Sequence, residues 1–225
     1  KLPVVDKEKL IGYVTKSDLL EKMKSEGVNR TQIDVISGKL HYLEGDYEKA
    51  RAILEDTTKR LPEYEEGWTV LSDVYNKMGL FQKSMETLRS GVLAAPNSSL
   101  IHFSLAKVCI DQELFAEALP YIRKAVVLDP DNSFYHLNLI QTLTTLGRTD
   151  EADLILSQGR QKWPFDREIA FVDAVRQVEK QNREAALAAF DVAINLHEVN
   201  TPIHKRLLFV QTILGDRPEK FLPTD

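Results

Sequence analysis

Four prolines, Pro62, Pro96, Pro130 and Pro164, stand 34 residues apart. A fixed spacing of that length restricts a chain to copies of one supersecondary unit stacked in a row. Aligning the chain on these prolines brings out further columns. Seventeen residues before each lies Gly45, Gly79, Glu113 or Gly147; twelve before lies Ala50, Ser84, Ala118 or Ala152. Eight before comes a large apolar residue, Leu54, Leu88, Ile122 or Leu156, and five before comes Thr57, Gly91, Ala125 or Gly159. A fifth copy keeps phase through Ala186, Phe190 and Ala193, although Glu198 holds its proline position and Pro202 follows four residues later. A last half-copy runs in phase to Gly215.

The columns describe a helix, a tight turn, a second helix and a stop. Glycine at the turn accepts the left-handed backbone that ends a helix. Small residues in the second helix allow a close approach to the first, and the large residue between them fills the groove so formed. Proline ends the unit because it cannot continue a helix. One pair alone leaves its apolar stripe bare, so neighbouring copies must stack to cover it.

At these columns the chain resembles the tetratricopeptide repeat (TPR) family over about residues 31–215. The second copy carries the resemblance most fully, in Trp68, Leu71, Tyr75, Gly79, Phe81, Ser84, Leu88, Gly91 and Pro96. The resemblance implies an all-α, right-handed superhelical solenoid of five repeats at 31–64, 65–98, 99–132, 133–166 and 167–200. A capping helix at about 201–214 and a tail to 225 would follow. Ile140 and Leu208 occupy a slot that is usually small, and Asp173 stands where leucine is usual. These departures point to less regular packing around repeats four to six.

The first 27 residues differ from the rest. Pro3-Val4-Val5 and Leu10-Ile11-Gly12-Tyr13-Val14-Thr15 are β-branched runs around a charged turn, which predicts a hairpin followed by a helix opened by Ser17 or Asp18. Leu2-Pro3-Val4-Val5-Asp6 and Gly12-Tyr13-Val14-Thr15-Lys16-Ser17-Asp18-Leu19-Leu20 resemble the C-terminal half of a CBS domain, the regulatory module named after cystathionine β-synthase. In that family the matching Thr and Asp contact the phosphate and ribose of adenosine nucleotides; here these would be Thr15 and Asp18. Two readings stand: half of a nucleotide sensor, or a module boundary or cap without a ligand. An isolated two-stranded hairpin is marginal in water, and its open edges invite pairing with a second chain.

Catalytic chemistry finds little support. Cys109 falls at a bulky column between paired helices and reads as a buried structural thiol; a single cysteine also excludes an internal disulfide. His102, His136 and His204 share the repeat position of Trp68. Equivalent positions on stacked helices lie about 8–10 Å apart, too far to share a metal. We therefore expect no metal and no cofactor. The net charge of −5, and basic pairs broken up by acids, argue against nucleic acid as a partner. No apolar run approaches the roughly 20 residues of a membrane span. The expected location is the cytoplasm.

A surface remains. The resemblance implies that the first helix of each pair lines a groove, at the second, fifth, ninth and twelfth positions of each copy. From these positions we take a candidate partner site of Lys39, Tyr42, Asp73, Asn76, Leu100, Phe103, Lys107, Phe134, Leu137, Gln141, Phe171 and Val175. Its N-terminal part is polar and the remainder apolar, with Phe103, Leu137 and Phe171 in one column. The Lys/Asn/Arg clamp by which chaperone-binding relatives hold a C-terminal carboxylate is not expected, because Val35 replaces its lysine at the fifth position. The expected function is a non-catalytic scaffold that captures a protein or peptide segment. The alternatives are self-association through the groove or hairpin, and the regulatory arm of a nucleotide-sensing CBS protein.

Overall fold

The computed structural model describes residues 2–6, 9–27, 29–196 and 201–216. The repeat slot at Glu198 and the tail 217–225 lie outside them. Strands β1 (Leu2–Asp6) and β2 (Lys9–Val14) pair antiparallel, Leu2 opposite Val14, with an irregularity between Val4 and Val5. Helix α1 (Lys16–Ser25) follows.

The rest is a run of helix pairs. They are α2 (Arg30–Leu43) with α3 (Tyr47–Arg60), α4 (Glu65–Lys77) with α5 (Phe81–Ala94), and α6 (Ser99–Asp111) with α7 (Phe115–Leu128). Next come α8 (Ser133–Thr145) with α9 (Thr149–Lys162), α10 (Arg167–Glu179) with α11 (Arg183–Leu196), and the single helix α12 (Pro202–Asp216). The chain divides into two compact units, Lys1–Leu128 and Asp129–Asp225. In the first unit each helix from α2 to α7 packs on the next, and the first helices of the pairs also touch, α2 on α4 and α4 on α6. In the second unit α8 to α12 pack in the same serial order, with α8 also reaching α10.

The turns explain the period. At Gly45, Gly79 and Gly147 the backbone is left-handed, with φ of 80°, 74° and 72°. The residue after each returns its N–H to the carbonyl five positions earlier, as in Leu80 to Tyr75 at 2.9 Å. Glu113 and Gln181 take the same conformation without being glycine, at φ 59° and 58°. The hydrogen bonds of the turn hold them there, Leu114 to Cys109 at 2.8 Å and Asn182 to Gln177 at 3.0 Å.

The small-residue columns sit at the tight contacts. Ala50, Ser84, Ala118 and Ala186 are fully buried, and Ser84 shares a 2.7 Å hydrogen bond with Ser72 of α4. A Cβ on Gly91 would lie 2.9 Å from Cγ of Trp68, so only glycine lets α5 approach that ring. At position four of the copies, Trp68 donates its indole N–H to the Pro62 carbonyl at 2.7 Å. His102 and His136 occupy that position with Nδ1 against the carbonyls of Ser98 (2.8 Å) and Asn132 (3.1 Å). His102 is buried, and His136 packs edge-on against Trp163. Cys109 is buried, and loss of hydration pushes its thiol up to about 11, far from a reactive thiolate.

Candidate functional site

Each unit presents its own first-helix face. In the first unit α2, α4 and α6 bring Lys39, Tyr42, Asp73 and Lys107 into one electrostatic neighbourhood. Partial burial raises the Asp73 carboxyl above the ordinary aspartate value, while Lys107, Lys77 and Lys39 pull it back. Burial also raises the Tyr42 hydroxyl, and the charge of Asp73 adds to the effect. Lys39 is already held by Glu66, which also accepts from the Tyr64 hydroxyl at 3.1 Å. Lys107 pairs within its own helix to Asp111 at 2.9 Å. Only burial and the charges of three lysines act on the Asp73 carboxyl, and Oδ1 of Asn76 is buried without a hydrogen-bond partner among the described residues. Leu100 is partly open, at 36% exposure.

Two first-helix positions behave otherwise than a groove requires. Phe103 is buried, at 7% exposure, and Val35 is fully buried. Val35 packs in a core with Leu54, Val70, Leu71 and Val74. Phe103 sits on α6, which packs on α4 as well as on α5 and α7, so its ring is core and not an open contact. Of the column Phe103, Leu137 and Phe171, Phe103 is therefore corrected to core, while Leu137 is half-buried and Phe171 is 38% exposed.

In the second unit Phe134, Leu137, Gln141, Phe171 and Val175 line one cavity of about 640 Å³. It opens between α8 and α10 and reaches down to Ala152, Asp153 and Leu156 of α9. Phe134 is 56% exposed, while Phe171 and Val175 are each 38% exposed. Apolar surface of this kind is unfavourable in water unless something covers it. Ile140, in the slot where the other first helices carry Gly38, Ser72, Ala106 and Ala174, is buried and forms part of the wall.

The polar side chains of the wall include Asp153 and Arg176, which the groove positions do not. Arg176 Nε donates to Asp153 at 2.6 Å, and Lys180 reaches the same carboxylate at 2.7 Å. Burial alone would raise the Asp153 carboxyl; the two cations outweigh it and hold it below its ordinary value. The signal was present in the columns. Asp153 stands in a column with Arg51, Met85 and Leu119, and Arg176 replaces Val74 and Val108.

At the N-terminus, Thr15 and Asp18 satisfy each other. Thr15 N–H donates to the Asp18 carboxylate at 2.8 Å, and Asp18 N–H donates to the Thr15 hydroxyl at 3.1 Å, a reciprocal cap on α1. That accounts for both residues without a ligand. Among the described residues no His, Cys, Asp and Glu group has a metal-binding arrangement, and no helix is long and apolar enough to cross a membrane.

Known proteins share this architecture. The tetratricopeptide repeat family matches residues 41–108 and, separately, residues 100–132; residues 2–20 lie outside both matches. Pre-mRNA-splicing factor 6 of Saccharomyces cerevisiae is 26% identical over 167 residues, covering 74% of this chain and 18% of that protein. The chain thus spans less than a fifth of this curated relative. Among solved structures, the type IV pilus biogenesis factor PilW aligns with a TM-score of 0.66 at 21% identity, over 84% of this chain and 89% of its own. YrrB, described as a TPR protein with an unusual peptide-binding site, aligns with a TM-score of 0.63 at 20% identity, over 86% of this chain and 97% of its own. At these identities the likeness to the solved structures is one of fold.

Proposed function

Residues 41–132 of this chain are tetratricopeptide repeats, and from that premise we propose that the protein is a non-catalytic scaffold that binds a protein or peptide segment on its first-helix faces. The observation that carries this reading is the apolar cavity between α8 and α10, with Phe134, Phe171 and Val175 open to solvent. Covering those side chains with a partner's apolar residues supplies the binding free energy, at about 25 cal/mol per Å² removed from water. The face of the first unit contributes polar contacts. A donor group on the partner would meet the Asp73 carboxylate, and such pairing selects partners more than it adds affinity. The peptide-binding site named for YrrB lends the reading support by fold alone.

The test is a pair of substitutions at open positions. Phe134→Ser with Phe171→Ser should leave the melting temperature nearly unchanged. It should remove most of the fluorescence enhancement of an anilinonaphthalene sulfonate dye and deplete the proteins captured from a native lysate. A ring that anchors a partner is worth roughly 2 kcal/mol or more, a loss of about thirtyfold in affinity. Unchanged dye binding and unchanged capture would move the partner surface elsewhere.

A further inference from the structure

Within each unit, consecutive repeats are joined by the second helix of one copy and the first helix of the next. At the α11/α12 junction the facing columns are apolar. Ile194 and Leu207 belong to one buried cluster, with Leu187 and Val210 packed against it. The α5/α6 junction carries Met85, Val92, Leu105 and Val108 at the same columns. At α9/α10 all four positions are charged: Asp153, Arg160, Asp173 and Arg176. They form two ion pairs across the junction. Arg176 meets Asp153 at 2.6 Å with side chains 13% and 22% exposed, and Arg160 meets Asp173 at 3.3 Å with side chains 23% and 19% exposed. The second pair is incompletely satisfied. Gln177 donates to Asp173 at 3.1 Å, but Nη1 of Arg160 is buried with no hydrogen-bond partner among the described residues.

Two further features fall on the same junction. The apolar cluster of α10–α12 comprises residues between Ala170 and Leu207 and takes none from α8 or α9. Cavities open on both sides of the seam. The larger is walled by Asp153 and Arg176, and a second of about 260 Å³ is lined by Arg160, Asp173 and Ala189. A half-buried ion pair must repay the hydration it loses, so it contributes less cohesion than well-packed apolar residues of similar size. In a repeat array, cooperativity is transmitted only through such nearest-neighbour junctions.

We propose that the α9/α10 junction is a built-in breakpoint: α10, α11 and α12 open together as one cooperative body while α8 and α9 remain folded. Charge carries much of the contact there, beside Ile169 packed over Gly159, and salt loosens the seam to the limited degree that it screens partly buried pairs. The breakpoint also places a movable wall, α10, beside the larger cavity, independently of what that cavity binds.

Hydrogen exchange on the full chain tests this, at about 0.05 M and about 1 M NaCl, where the Debye length falls to about 3 Å. The amides of α10, α11 and α12 should share one opening equilibrium, at least about tenfold more populated than that of α8 and α9, and salt should widen the gap. The four-site variant Asp153→Leu, Arg160→Val, Asp173→Leu and Arg176→Val copies the residues used at other junctions of this chain. It should close the gap and abolish its salt dependence. If that variant fails to fold, Arg160→Val with Asp173→Leu should narrow the gap, while Asp173→Leu alone, which strands Arg160, should widen it. Fraying of α12 alone, with α10 and α11 exchanging as slowly as α8 and α9, would overturn the proposal, as would a gap indifferent to both salt and the apolar variants.

Discussion

Phe103 and Phe171 are the same residue at the same repeat position, yet one is core and the other is surface. In the first unit α6 lies against α4, and the ring of Phe103 is 7% exposed. In the second unit a cavity opens between α8 and α10, and Phe171 is 38% exposed. A column in a repeat alignment thus specifies a direction from the helix axis. How closely the neighbouring first helix approaches decides whether that direction ends in packing or in solvent.

The largest expected effect follows from this pair. Phe103→Ser should cost about 3–5 kcal/mol in denaturant unfolding, as large-to-small changes in a core do. Phe171→Ser should cost less than about 1 kcal/mol. Equal losses would mean that both rings are core and that the cavity is not an open site.

A second pair sharpens the contrast. Gly91 and Gly159 share a column, but a Cβ on Gly91 meets Trp68 at 2.9 Å, whereas one on Gly159 has nothing nearer than Cδ1 of Ile169 at 3.6 Å. Gly91→Ala should destabilise by about 1–3 kcal/mol through overpacking. Gly159→Ala should stabilise by about 0.5–1 kcal/mol, the helix preference of alanine over glycine. Thermal or denaturant unfolding gives both signs, and a shared sign would show that the two units pack alike at this column.

The turns supply a smaller effect. Glu113→Gly should stabilise by about 1 kcal/mol, because the left-handed backbone at φ 59° strains any residue with a Cβ. The same change beside an already glycine-bearing turn is not available, so Gln181→Gly serves as its counterpart in the second unit.

Acid titration should separate the units by sign, with the smallest effects of all. The Asp153 carboxyl is depressed in the folded state, so its contribution is complete above the unfolded aspartate value of about 4 and is lost as pH falls through the folded value. The Asp73 carboxyl is raised, so the cost of keeping it charged is present above its folded value and is relieved as pH falls through it. Asp153→Asn should therefore flatten the acid limb of the stability profile, and Asp73→Asn should steepen it. The reverse order would mean that the lysines around Asp73 outweigh its burial.

The sequence alone determined the repeat. Its period requires left-handed turns at fixed intervals, and its small residues require close helix pairs; both are local demands, which a chain states residue by residue. The same columns also brought Phe134, Leu137, Gln141, Phe171 and Val175 together, and all five line one cavity. Only the tertiary structure decided that Phe103 and Val35 belong to the core, since burial depends on the distance to a helix some 34 residues away in the chain. It also decided what the charged residues at the apolar columns do. Asp173 by itself reads as an irregularity; only when Arg160 from the preceding helix lies 3.3 Å away does it become half of an ion pair. Pairing energies belong to two positions at once, and a column read one copy at a time does not contain them.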